Sequence, residues 1–482
     1  MAISSAGIGS GLDVNAIVSQ LVAIERRPIT LLKTEVGQLQ TQLSAFGRLQ
    51  GALATLRDAA SALAKPATWT AMAATSANPA GLSVTATGSA QPGRYEVAVS
   101  QLAQSQTVAT RAFADASAVI GSGTLRIELG DFDAVPPVPK AGATAIDVTI
   151  APGADSLSAI RDAINAAGAG VRASISSDAS GARLVLRSAE TGLENGFRVE
   201  VLADDDGNTG DTAGLSALAW DPRIATDPLT GATRPQAAAN AQFTVDGLPL
   251  ASTTNTLAGA IEGVSLTLRQ AGTTEVVVEP DNEALKKSLD GFVSAYNAAV
   301  GMLREQTRYD PTTKQAGALQ GDRGAIQLLG QLRRMFTDSS GASSVFTRLA
   351  DAGLNLNTDG TIVVDTAKRD AALANREELQ KLFANADAAV PANNGFAKRF
   401  QQWLDGALGS DGAIDARQQG LKDRVRAKEE QQERLEDRVL RTEARLLRQY
   451  SALDNQMGQL NALSSYVTQQ MAMLNASSVV KR

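Results

Sequence analysis

The sequence contains no cysteine and no histidine. That removes disulfides, thiolate nucleophiles, histidine-based triads and the ligands of nearly every zinc or haem site, and most enzyme mechanisms go with them. Aromatic residues are only 4% of the 482 positions, so the 44% apolar share leans on small side chains, Ala above all. Such a mixture favours long thin helices and small β domains over one bulky core. The formal charge is -6 and no block of Lys and Arg stands free of acids, which argues against a nucleic-acid footprint. There is no run of about 18 apolar residues, so neither a transmembrane helix nor a membrane partner is expected. The first basic residue is Arg26, whereas a cleaved signal peptide carries its charge ahead of its apolar stretch, so export by that route is not expected either.

What the sequence does have is length and period. A chain of 482 residues exceeds the size at which one core keeps growing, and two to four domains are expected. Residues from Asp13 to Leu63 read as helix with a break at Pro28, which suits the first turn of a new helix. In the second piece Leu32, Val36, Leu39, Leu43, Phe46, Leu53, Leu56, Ala60 and Leu63 follow three- and four-residue steps, with one step open at Gln50. That is a coiled-coil seam. Leu421, Val425, Leu435, Val439, Leu446, Tyr450, Leu453, Met457, Leu460, Leu463, Val467, Met471 and Leu474 keep the same rhythm at the other end. Between Lys422 and Arg448 the flanks carry both signs of charge, as on solvent-facing helix positions. After Arg448 charge nearly vanishes, and the stripe is bordered by Gln, Asn and Ser.

Two readings fit these ends: an intramolecular helix pair, or a polymer-forming surface shared between subunits. Burying a seam residue contributes about 1.5–3 kcal/mol and ordering backbone costs about 1–2 kcal/mol per residue. With apolar residues at fewer than half the positions, such arms are marginal alone. They are expected to be mobile in the isolated subunit and to order on assembly.

From Leu82 to Val278 short β-rich runs alternate with Gly, Asn, Asp and Pro turns, interrupted by one helix from Ser156 to Ala167. Helix returns at Asn282, where Leu285, Leu289, Phe292, Tyr296, Val300 and Leu303 share a face, and again over Ala325–Phe336 and Thr366–Ala384. The expected fold class is α+β multidomain: helical coiled-coil-like N- and C-terminal arms paired, a helical second domain, and two β-rich inserted domains in the middle. The corresponding domains are 1–65 with 421–482, 66–80 with 281–420, 81–115 with 240–280, and 116–239.

Three features tempt a catalytic or ligand-binding reading. Asp204, Asp205, Asp206, Asn208 and Asp211 resemble a calcium loop, but the Gly is misplaced and the twelfth position is Leu215 in place of the bidentate Glu. Gly7, Gly9 and Gly11 follow no strand and lack the spacing of a dinucleotide fingerprint. The 51 acidic residues single out no pair for glycoside hydrolysis. No catalytic residue, cofactor or metal is expected.

Several strings together resemble the flagellar filament-capping family, also called hook-associated protein 2. They are GIGSGLDVNAIVSQLVAIERRPI at the start, FTVDGLPLASTTNTLAGAIEGVSLTL from Phe243, DGFVSAYNAAV from Asp290, LQGDRGAIQLLGQLR from Leu319, LADAGLNLNTDGTIVVD from Leu349 and LDNQMGQLNALSSYVTQQMAML from Leu453. The segment from Ser156 with SLSAIRDAINAAGAGVRASIS resembles a motif found in flagellins as well as caps. The resemblance implies a structural protein, with helical ends forming a leg, a β insert forming a plate, and several copies making a ring. It implies export through the flagellar type III apparatus without a cleaved signal, and a location outside the cell at the flagellum tip. The implied partners are further copies of itself, flagellin, the hook–filament junction protein and a flagellar export chaperone; a host surface or mucin is the partner that an adhesin reading of the β insert would add. For assembly contacts the leading segment with Leu12, Ile17, Leu21 and Ile24 and the tail with Leu453, Leu460, Leu463, Val467, Met471 and Leu474 are the candidates. A flagellin or junction protein of the same axial class, and a surface adhesin, are the alternatives.

Overall fold

The computed structural model describes residues 13–223, 231–312 and 314–479, with side chains to residue 473. It forms two compact units, one of the residues up to Trp69 together with those from Glu283 onward, the other of Thr70–Asn282. The mixed α+β organisation, helical at the ends and β-rich between, is the one the periodicities predict.

The first unit opens with helices α1 (Val14–Glu25) and α2 (Arg27–Leu63), followed by the short α3 (Pro66–Thr70). The joint falls at Arg26, so Pro28 sits in the first turn of α2, where its missing N–H breaks no helical bond. Ile29, Leu32, Val36, Leu39, Phe46, Leu49, Leu53, Leu56, Ala60 and Leu63 are buried along α2. The seam differs from expectation at one step. Leu49, three after Phe46 and four before Leu53, fills the place assigned as open at Gln50, and Leu43 is only half-buried.

In the second unit the strands are β1 (Met72–Ser76), β2 (Leu82–Ala86), β3 (Gly93–Gln101), β4 (Thr107–Ala109), β5 (Gly123–Asp131), β6 (Val138–Pro139) and β7 (Ile146–Ile150). Helix α4 (Leu157–Ala167) follows, and then β8 (Val171–Asp178), β9 (Gly181–Ser188), β10 (Phe197–Asp204), β11 (Thr233–Gln236), β12 (Ala241–Val245), β13 (Leu248–Ser252), β14 (Thr256–Ile261), β15 (Val264–Leu268) and β16 (Gly272–Pro280). One core lies between a five-stranded sheet, β1-β16-β3-β12-β13, and the three-stranded β14-β15-β2, and is filled by Val97, Val99, Phe243, Leu266, Val276 and neighbours. The β12–β13 hairpin turns on Asp246-Gly247, both at positive φ (49° and 81°), as a two-residue turn matched to strand twist requires. A second core gathers Leu125, Ile127, Leu157, Ile160, Ile164, Leu184 and Phe197 from β5, α4, β9 and β10, with Trp220 from the segment between β10 and β11. The Ser156 hydroxyl caps α4 by accepting from Ala159 N–H (3.2 Å), and Gly168 ends it in the left-handed conformation.

The first unit resumes with α5 (Asn282–Thr307), α6 (Arg323–Thr337), α7 (Thr366–Leu373), α8 (Arg376–Ala384), α9 (Phe396–Leu408) and the long α10 (Ala413–Val479). The stretch expected as one helix over Thr366–Ala384 is two. The chain leaves helical geometry at Asn375 and restarts with Glu377 and Glu378 in the first turn of α8, where carboxylates favour the helix dipole. Helix α9 was not anticipated, although Phe396, Phe400 and Leu404 give it a buried face at four-residue steps. Its Phe400 meets Phe292 edge-on at 5.4 Å and Tyr296 at 6.2 Å, while Trp69 stacks on Phe383 at 5.5 Å. These rings join the later half of α2 to α5, α6, α8 and α9 in one core. The seam of α2 therefore packs on α10 only in part and serves this core over the remainder.

Candidate assembly interface

The local chemistry of α1 starts at Asp13, whose carboxylate accepts from Ala16 N–H (2.9 Å) and caps the helix. Val14, Val18 and Val22, one per turn, are buried with Ile29 of α2 and Val439 of α10, and Leu435, Leu446, Leu447 and Tyr450 pack beside them. The pairing is antiparallel. Arg26 faces Glu443 (3.7 Å), Lys33 faces Glu436 (3.6 Å) and Glu35 faces Lys428 (2.7 Å), while Gln418 donates to Gln50 (3.1 Å). Exposed pairs of this kind contribute little stability but fix register.

Only one side of α1 is used. Leu21 and Ile24 are exposed, Ile24 by 58%, and Ile17 is half-buried, so these three form a second apolar stripe beside the valine face. Leu31, 65% exposed and seven residues beyond Ile24, extends it. The tail of α10 is similar. Past Tyr450 the only buried residue described is Asp454, and Leu453, Met457, Leu460, Leu463, Tyr466, Val467 and Met471 are all exposed. Leu453, Met457, Leu460, Leu463, Val467 and Met471 recur at steps of three or four, a coiled-coil seam. Leu12, Gly7, Gly9, Gly11 and the side chain of Leu474 lie outside the described residues. Leu31, Met457 and Tyr466 were not among the candidates, although Leu31 and Met457 lie on the repeat that selected the others.

The acidic run at the end of β10 spends its carboxylates on backbone N–H groups, three of them on the same segment and one on the segment before β5. Asp204 accepts from Ser216 N–H (2.8 Å), Asp205 from Ser122 N–H (2.9 Å), Asp206 from Asn208 N–H (2.8 Å) and Asp211 from Ala213 N–H (2.8 Å). The bond from Ser122 holds the Asp205 carboxyl below its ordinary value. Among the described residues no group of three or more acids has the geometry of a metal site, and no helix is long and apolar enough to cross a membrane. What the arrangement offers is surface: two apolar stripes at the ends of the chain, each with the form of half an interface.

Comparison with known proteins bears on the whole length. Residues 10–106 match the model of the flagellar hook-associated protein 2 N-terminus, 238–462 that of its C-terminus, and 139–190 the flagellin hook IN motif. The A-type flagellar hook-associated protein 2 of Pseudomonas aeruginosa is 31% identical, covering 97% of both chains. That of Escherichia coli K12 is 30% identical over 97% of this chain and 98% of its own. Among solved structures, the D1-D2-D3 domains of the flagellar cap protein FliD from Escherichia coli superpose with a TM-score of 0.61 at 29% identity, over 78% of this chain and 99% of that one. The chain belongs to the flagellar hook-associated protein 2 family.

Proposed function

We propose that this chain caps the distal end of the bacterial flagellar filament, retains flagellin arriving there and promotes its folding and insertion at the growing tip. The observation that carries this reading is family likeness along nearly the whole chain, combined with terminal helices that keep an apolar stripe turned outward. The chain acts as a structural scaffold, with no catalytic residue. An unfolded flagellin leaving the filament would diffuse away or aggregate, and a cap that encloses it must also release its grip to move on. Interfaces of moderate size and modest affinity meet both demands.

In this reading Leu12, Ile17, Leu21 and Ile24 with Leu453, Leu460, Leu463, Val467, Met471 and Leu474 make the contacts to neighbouring subunits. The expected bounds shift with the packing: α1, the start of α2 and α10 make the leg, α5–α9 with the later half of α2 the helical domain, β1–β3 with β12–β16 one β domain, and β4–β11 with α4 the other. Export follows the flagellar type III route without a cleaved signal, assisted by an export chaperone, and the hook–filament junction protein is the first surface the cap meets. The β domains are the place for any host-surface or mucin contact. Electron microscopy of a deletion strain, with an assay for flagellin in its culture fluid, tests the reading. Hooks without filaments, flagellin monomers in the medium and regrowth on adding the purified chain are expected. Normal filaments would refute it.

A further inference from the structure

The sequence has seven methionines and no cysteine, so its sulfur chemistry is that of the thioether alone. Met1 lies outside the described residues. Three of the others pack into cores, Met302 and Met335 with the helices of the first unit and Met72 between the five- and three-stranded sheets. The remaining three, Met457, Met471 and Met473, fall together on the tail of α10 and are exposed, Met457 by 36% and the other two by 56% each. Methionine, scarce elsewhere, is gathered and open to solvent on the segment whose apolar stripe is turned outward.

Position around the helix separates these three. Met457 stands between Leu453 and Leu460, and Met471 four residues beyond Val467, so both belong to the stripe. Met473 is two residues past Met471, which at 3.6 residues per turn is about 200° around the axis, on the other side of the helix. An unbranched thioether suits a seam whose partner surface is not perfectly regular. Unlike the leucines and valine beside it, it is also open to mild oxidation. Hydrogen peroxide transfers one oxygen atom to the sulfur: the O–O bond breaks, the thioether gives up two electrons and becomes a sulfoxide, and the peroxide leaves as water. The product is polar. Its neighbours in the stripe, Leu453, Leu460 and Val467, carry no hydrogen-bond donor in their side chains, so a sulfoxide buried against another apolar stripe is unfavourable.

We propose that Met457 and Met471 form an oxidation-sensitive site of the unassembled chain, where conversion to sulfoxides stops the tail stripe from packing against a neighbouring copy. The inference rests on the reading of the tail as an assembly surface and adds a chemical control to it. Reduction of the sulfoxide returns the thioether, so the control is reversible. A neighbour that covers the stripe also shields the two sulfurs, so the sensitivity belongs to the free subunit. Met473, off the stripe, oxidises as readily and without this consequence.

The test exposes the full chain to hydrogen peroxide, removes the peroxide and locates sulfoxides by mass spectrometry of its peptides, with circular dichroism to verify folding. Met457, Met471 and Met473 are expected to oxidise at least about fivefold faster than Met72, Met302 and Met335, in keeping with their exposure. Protein with the tail methionines converted and the core ones intact is then added to a strain lacking this chain. Regrown filament length is expected to fall to about a tenth of that given by untreated protein, and to return after treatment with methionine sulfoxide reductases of both stereospecificities. Each variant is scored against its own untreated form: Met457→Leu combined with Met471→Leu is expected to lose nothing on oxidation, and Met473→Leu to lose as much as the parent. The reductase arm uses the parent alone, so it decides the proposal even where the double variant regrows nothing. Oxidation spread evenly over all six methionines, full regrowth by protein carrying both sulfoxides, or a loss that the reductases do not reverse would overturn the proposal. If the untreated parent regrows no filaments, the cap reading falls and this inference with it.

Discussion

The first unit contains two kinds of helix packing that differ in depth. Around Phe292, Tyr296, Phe336 and Phe400 five helices close a core in which these four rings are buried. At the other end α1, the start of α2 and α10 share a seam of five buried residues, Val14, Val18, Val22, Ile29 and Val439, and leave more large apolar side chains outside than they bury, Leu21, Ile24, Leu31, Leu453, Leu460 and Val467 among them. In the first case both sides of a helix find partners within the chain and in the second only one does. Stability is therefore concentrated in one region and capacity for contact in the other.

Substitutions in the two regions separate these properties. The largest effect is expected from Phe400→Ala, which empties a ring site touching Phe292 and Tyr296. It should lower the unfolding free energy by about 3–5 kcal/mol, read from denaturant unfolding of the full chain. Asn297→Ala comes next. Its side-chain amide donates to the Ile362 carbonyl (2.9 Å) and accepts from the Ile362 N–H (2.6 Å), and losing both bonds takes a partner from each of these part-buried groups, at about 1–3 kcal/mol.

Acid provides a milder perturbation. Bonds from Lys381, and then from the Ser343 hydroxyl and Ser344 N–H, hold the Glu378 carboxyl down to about 2. Because the folded value is depressed, its contribution is present above the ordinary glutamate value of about 4.3 and fades as pH falls toward 2. Stability should decline over that window, and Glu378→Gln should remove part of the decline. At the far end of the scale, Ile24→Asp should shift unfolding by less than about 0.5 kcal/mol, since the side chain touches little. A loss of stability as large as that of Asn297→Ala would mean that Ile24 is a packing residue and would dissolve the contrast.

Much of this division was legible in the sequence because it rests on period. The Pro28 break, the α2 seam and the two terminal stripes all follow from spacing, and the stripe of Ile17, Leu21 and Ile24 stands apart from the valines by the same geometry. Spacing reports which residues share a face, however, and not what the face meets. That is why the later half of α2 was assigned to α10 when it packs against α9, and why Leu49 and Gln50 exchanged places. Contacts that join distant segments left no local mark. Asn297 reaches across 65 positions to Ile362, and the same device recurs where Asn165 brackets Ala173 and Asn255 brackets Ala103, each amide satisfying both backbone groups of its partner.

The most direct measurement is the length of filament regrown on a strain lacking this chain when purified protein is added, comparing the parent with Leu460→Asp combined with Val467→Asp. The account predicts that the parent restores filaments, and that the variant, folded by circular dichroism and unchanged in unfolding, restores almost none. Equal regrowth by both would contradict the assignment of the outward stripe to assembly.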